Sequence, residues 1–115
     1  MSRSRKASAS GLASAAPVFA ALGDATRLRL VARLCEEGPL SIARLSDEAD
    51  VTRQAITKHL EAMREAGLVR DSRRGRERIW QLEPKRLEKA RRHLDRIAND
   101  WESAILRRRT FVDKR

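Results

Sequence analysis

A mainly α-helical domain of five helices with one small two-stranded antiparallel β-hairpin is the fold class predicted by this 115-residue sequence. Three observations predict it. Apolar residues recur at helical spacing in successive segments up to residue 66 and again from Pro84 onward. A single pair of β-prone runs, 68–71 and 77–82, brackets Gly75. The chain is also long enough for one domain with one modest core, and little else.

Residues 1–14, MSRSRKASASGLAS, are basic and then rich in Ala and Ser, and are expected to form a disordered basic arm. Their weak apolar content runs straight into a working helix, which argues against a signal or transit peptide. The folded core is expected over 15–83. Pro17 suits the first turn of a short helix containing Val18, Phe19 and Leu22, which stops at Gly23. Asp24 then caps a second helix, roughly 24 to 37. Its Leu28, Leu30, Val31, Leu34 and Cys35 cover more than half its circumference, so it should be the most buried helix. Glu37-Gly38-Pro39 ends it, and a short third helix, about 41–49, turns Ile42, Leu45 and Ala49 inward.

The fourth helix lies in VTRQAITKHLEAMREAGLV, residues 51–69. At 100° per residue Ile56, Leu60 and Met63 share a narrow arc flanked by Ala55, Ala62 and Ala66. Arg53, Gln54, Thr57, Lys58, Glu61, Arg64 and Glu65 fill the other sector, with the cationic and amide groups at the N-terminal end. Thr52 is the expected N-cap and Gly67 the expected stop. Two helices joined by a short turn, the second with a cationic and amide N-terminal surface, match the helix-turn-helix pattern.

Next, LVRDSRRGRERIWQL reads as the hairpin, with Gly75 able to take positive φ in the turn. Arg73, Arg74, Arg76 and Arg78 crowd its tip without an acidic run to pair them, which phosphate contact explains better than mere solvation. The last helix, expected over 84–108 with a frayed tail at 109–115, carries Leu87, Ala90, Leu94, Ile97, Trp101 and Ala104 at alternating spacings of 3 and 4. That is a heptad seam. A seam on a terminal helix beyond the finished core calls for a partner, either another copy of the chain or the first helix, the alternative being that the seam serves only the chain's own core.

With 26 Lys and Arg against 16 Asp and Glu, the net charge of +10 points to a polyanionic partner. No apolar run approaches the ~20 residues that cross a bilayer, and no segment joins a lysine-rich face to a broad apolar face free of structural duty, so no membrane partner is expected. The lone Cys35 can build neither an internal disulfide nor a zinc site, and suits a reducing cytoplasm; on its helix it faces inward with Leu28 and Val31. One Cys, two His and five scattered Gly supply no catalytic nucleophile with a base, no metal set and no phosphate loop, so neither an enzyme nor a cofactor is expected.

The segments VFAALGDATRLRLVARL, VTRQAITKHLEAMREAGLV and RRGRERIWQL together resemble the ArsR/SmtB-type winged-helix transcriptional regulators over about residues 17–106. The resemblance implies a winged helix-turn-helix fold whose hairpin is the wing. It also implies a homodimer formed through the first and last helices, which adds Phe19 to Leu87, Ala90, Leu94, Ile97, Trp101 and Ala104. Position by position it marks Thr52, Arg53, Gln54, Thr57 and Lys58 as DNA contacts. His59 falls in the same motif, but the helical wheel sets it at the core boundary, where packing or backbone bonding comes before DNA contact. Ser41 and Ala43 stand at the positions where many members carry a Cys-x-Cys metal site, and His93 has no second histidine on its helix, so a member lacking a metal site is implied.

The resulting expectation is a sequence-specific regulator of double-stranded DNA, a dimeric repressor on an inverted-repeat operator, with its effector unspecified. The rival is a winged-helix protein- or RNA-interaction module without operator specificity, since a fold does not dictate its ligand. Against sequence-specific RNA reading stands the scarcity of aromatics for stacking on bases: Phe19, Trp80, Trp101 and Phe111 are all there are.

Overall fold

The computed structural model describes the fold of residues 2–47 and 51–113. In chain order it contains α1 (Ser2–Leu22), α2 (Ala25–Glu37), β1 (Leu40–Ser41), α3 (Ile42–Ser46), α4 (Arg53–Glu65), β2 (Val69–Arg74), β3 (Glu77–Leu82) and α5 (Pro84–Asp113). The helices match the expected fold class, but the sheet has three strands, in the order β1-β3-β2, where the sequence predicts two. In the added strand Leu40 and Ser41 pair antiparallel with Trp80 and Ile79. Two residues have no alternation to read, and Ser41 doubles as the N-cap of α3, so its sequence signal is that of a helix start.

Side chains fix the starts of three helices. Asp24 accepts from Arg27 N at 3.0 Å, Ser41 from Arg44 N at 3.3 Å and Thr52 from Ala55 N at 3.1 Å, each satisfying a donor that has no partner within its helix. Past the end of α4, Gly67 has φ of 80° and the Arg86 side chain lies against it, so a side chain there would meet backbone strain and would have to push Arg86 aside.

α1 departs from expectation. It is helical from Ser2, so the segment expected as a disordered arm is part of the helix, and Pro17 lies inside it. Ala, Arg and Lys favour helix, and Ala15, Val18 and Ala21 are buried. Packing of this kind offsets the single backbone bond that Pro17 removes. α3 is shorter than predicted, and Ala49 lies outside the described residues.

The core gathers Val18, Leu30, Leu34, Leu40, Leu45, Ile56, Leu60, Met63, Leu68, Val69 and Trp80. Removing each large side chain from water stabilises the fold by about 1.5–3 kcal/mol. α2 is not the most buried helix. It buries Leu30 and Leu34, but Leu28 and Cys35 are exposed, because these two lie an almost complete double turn apart on a face well round from Leu30. Arg33 bridges α2 to the end of α3, donating to the carbonyls of Arg44 and Leu45 at 3.0 and 3.3 Å.

α5 has 30 residues and is therefore about 45 Å long. It continues through Asp113, beyond the point where the tail was expected to fray; residues 114 and 115 lie outside the described residues. Its N-terminal part belongs to the chain's own core: Ala90 is buried and Leu87 is half-buried against the cluster.

Candidate nucleic-acid interface

Ile56, Leu60 and Met63 lock one face of α4 into the core with no accessible surface. On the other side Arg53, Gln54 and Lys58 are exposed within the first two turns. Among the described residues no hydrogen bond or ion pair holds these three side chains. The outer side of α4 thus presents two cations and an amide to solvent.

The neighbouring polar residues have structural duties first. Thr52 uses its hydroxyl as the cap acceptor, leaving its proton available to an outside acceptor. Thr57 is half-buried and donates to Arg53 O at 2.9 Å. His59 is also half-buried, and its Nδ1 accepts from Arg27 Nε at 3.1 Å. Its partner is a side chain of α2, where the sequence suggested packing or a backbone bond. Arg27 also supplies the backbone N–H that, as the largest cause, holds the Asp24 carboxyl below its ordinary range, so one residue ties the N-terminus of α2 to α4.

The hairpin register runs from Val69 opposite Leu82 to Arg74 opposite Glu77. The turn is therefore Gly75-Arg76. Positive φ at Gly75 alone, 61°, fits the type II′ hairpin turn, whose twist matches the strands. Arg73, Arg74 and Arg76 are exposed at this tip.

Arg78 differs from the other three. Its Nε donates to Asp71 Oδ2 at 2.6 Å, its Nη2 stands 2.9 Å from Glu61 Oε1, and its guanidinium lies 4.5 Å from the Trp80 ring centre. Arg64 completes the set, bound to Glu61 and to Asp71 at 3.2 Å. Arg78, also expected as a DNA contact, is engaged by these protein partners, with its side chain 33% exposed. The hydrogen bond from Arg78 is the main cause that lowers the Asp71 pKa, and the same bond raises that of Arg78. These four charges join the second half of α4 to both wing strands.

Sequence reasoning missed Arg27, Glu61, Arg64 and Asp71 as parts of the site. The Glu61–Arg64 spacing of three was a visible signal. The link to Asp71 and Arg78 required the strand register.

Of the residues expected at a dimer interface, Ala90 is taken by the chain's own core, and Leu87 and Phe19 are half-buried against it. Ala104 is half-buried, while Leu94, Ile97 and Trp101 are 54%, 50% and 66% exposed. Ile105 extends the same side at 39%. Cys35 is exposed, correcting its expected inward orientation. Among the described residues no group of three or more His, Cys, Asp or Glu could hold a metal ion, and no helix is long and apolar enough to cross a membrane.

Residues 22–71, spanning α2 to the start of the wing, match a helix-turn-helix domain family. Over 93 residues the chain is 37% identical to HTH-type transcriptional regulator Rv2034 of Mycobacterium tuberculosis, covering 81% of this chain and 83% of that protein. Its fold superposes on an ArsR-like transcriptional regulator from Rhodococcus sp. RHA1 with a TM-score of 0.82 and 34% identity, covering 90% of this chain and 94% of the other. The chain belongs to the ArsR family of winged helix-turn-helix transcriptional regulators. A further likeness, to the homodimeric winged helix-turn-helix DNA-binding domain of Mb0332 from Mycobacterium bovis, has a TM-score of 0.63 and covers 80% and 83% of the two chains; at 22% identity it speaks to the fold. In ArsR-family terms α3 and α4 are the helix-turn-helix and β2–β3 is the wing.

Proposed function

We propose that this ArsR-family chain is a homodimeric repressor that binds an inverted-repeat operator in double-stranded DNA, in the cytoplasm. The observation that carries the reading is the free N-terminal surface of α4: Arg53, Gln54 and Lys58 are exposed and without protein partners among the described residues, on a helix whose other face is locked in the core. A helix of this kind fits the major groove, where Arg pairs with guanine and Gln with adenine. Arg73, Arg74 and Arg76 at the wing tip supply phosphate or minor-groove contacts beside it.

Two half-sites need two recognition helices. The exposed Leu94, Ile97 and Trp101 form an apolar strip on α5 that a second copy would cover, with Phe19, Leu87 and Ala104 at its margins. Bound at a promoter, such a dimer excludes other proteins, which is the basis for repression.

Selection of bound sequences from random duplex DNA tests the reading. Recovery of an inverted repeat supports a symmetric dimer with base readout. Recovery of no preferred sequence would favour an interaction module without operator specificity.

A further inference from the structure

A groove of about 880 Å³ runs between α1 and the start of α5, a size suited to a small molecule. Its lining includes Ser14, Ala15 and Val18 from α1, with Lys85, Lys89 and His93 from α5. Ala15 and Val18 are almost fully buried, so they give an apolar floor, while Lys85 and Lys89 are exposed along the rim. His93 lies against α1 where Gly11 leaves room: a Cβ at residue 11 would stand 2.8 Å from His93 Cε1.

The charge of the lining is one-sided. Among the described residues Lys85, Arg86, Lys89 and Arg92 line the groove together with a single carboxylate, Glu88. Glu88 is already bound by Arg91 at 2.6 Å and lies 3.7 Å from Arg92, and Arg91 is the main cause that lowers its pKa. Lys85 and Lys89 have no ion-pair partner among the described residues. Clustered cations over an apolar floor attract an anion that also has an apolar body.

Position separates this groove from the surfaces described above. Arg86 lies against Gly67, just beyond the C-terminal end of α4. The exposed Arg53, Gln54 and Lys58 are at the other end of that 13-residue helix, which is about 20 Å long. Around α5, Lys85, Lys89 and Arg92 are centred roughly 150° from Leu94, Ile97 and Trp101 at 100° per residue, and His93, at the near edge of the groove, lies about 75° from them.

We propose that the α1–α5 groove is a binding site for a small organic anion, a carboxylate or phosphate carried on an apolar body. The site requires neither DNA binding nor dimerisation.

Chemical-shift mapping on the full chain tests it, with hexanoate, hexyl phosphate, hexylammonium and inorganic phosphate as probes. At least one anionic hexyl probe should cause saturable shifts centred on Ala15, Val18, Lys89 and His93, and bind at least tenfold more tightly than hexylammonium or inorganic phosphate. K85E/K89E should weaken that probe at least tenfold, and the milder K89Q should weaken it less, both with unchanged circular dichroism. The proposal is overturned if neither anionic hexyl probe saturates, if hexylammonium or inorganic phosphate binds as well, if the shifts centre on Trp101, or if a folded K89Q or K85E/K89E protein binds as the unmodified chain does.

Discussion

Arg78 Nε donates to Asp71 Oδ2 at 2.6 Å, diagonally across the wing, with the Trp80 ring beneath the guanidinium. Since Asp71 also holds Arg64, and Glu61 holds both arginines, α4 and the wing are fastened at four charged residues. The side chains are partly exposed, 23% for Asp71 and 33% for Arg78, so solvent screening reduces what the pair contributes. Asp71→Asn is expected to lower unfolding free energy by about 1 kcal/mol, by urea denaturation at neutral pH.

The same pair sets a pH dependence. The Asp71 carboxyl titrates below its ordinary 3.8 because Arg78 hydrogen-bonds its charged form. A depressed carboxylate stabilises the fold fully above the unfolded-state pKa, and that contribution is lost as pH falls through the folded value. The stability gap between the unmodified chain and Asp71→Asn should therefore be constant from about pH 5 upward and shrink below about pH 4. Urea titrations at several pH values check this; a gap that widened in acid would contradict the assignment.

Trp101 is 66% exposed beside Leu94 and Ile97. In the proposed dimer Trp101→Glu would bury an unpaired charge, so the variant should be monomeric with its helical content retained. Sedimentation equilibrium at micromolar concentration reads this directly, and a monomeric unmodified chain would remove the dimer.

Cys35 is exposed, so its thiol should react with a disulfide reagent in the folded protein without denaturant. Because it fills no core position, Cys35→Ala should change stability by no more than about 0.5 kcal/mol. A thiol that reacted only after unfolding would restore the inward orientation suggested by the sequence.

Leu60 sits in the middle of α4 with no accessible surface. Leu60→Ala should cost about 2–5 kcal/mol, whereas Lys58→Ala, two residues away and exposed, should stay within about 0.5 kcal/mol. Thermal and urea unfolding of the two variants compare the faces of the helix.

The elements that sequence reading located best were those with strong local signals. Thr52 and Gly67 bracket α4 because a cap hydroxyl and a left-handed glycine are single-residue requirements. Ile56, Leu60 and Met63 named the buried face because a long amphipathic helix has one periodicity. What escaped depends on partners distant in sequence. β1 exists only because Leu40 meets Trp80. Leu28 and Cys35 are apolar on a helix whose inward arc is set by the helices around it. Arg78 looked like its neighbours at the tip until the register brought Asp71 within reach.

In the proposed complex α4 reads bases while the wing tip holds phosphates, and this division is tested by binding of Gln54→Ala and of Arg74→Ala/Arg76→Ala to a selected and a scrambled duplex across a salt series. Gln54→Ala should change base preference by about 1–3 kcal/mol and leave scrambled binding nearly intact. The wing variant should weaken both duplexes alike and flatten the logarithmic salt slope by up to about 2 units per wing, since each phosphate contact contributes about 0.9. If the wing variant lost only selected-sequence binding while Gln54→Ala lost both equally, the division of labour between helix and wing would be contradicted.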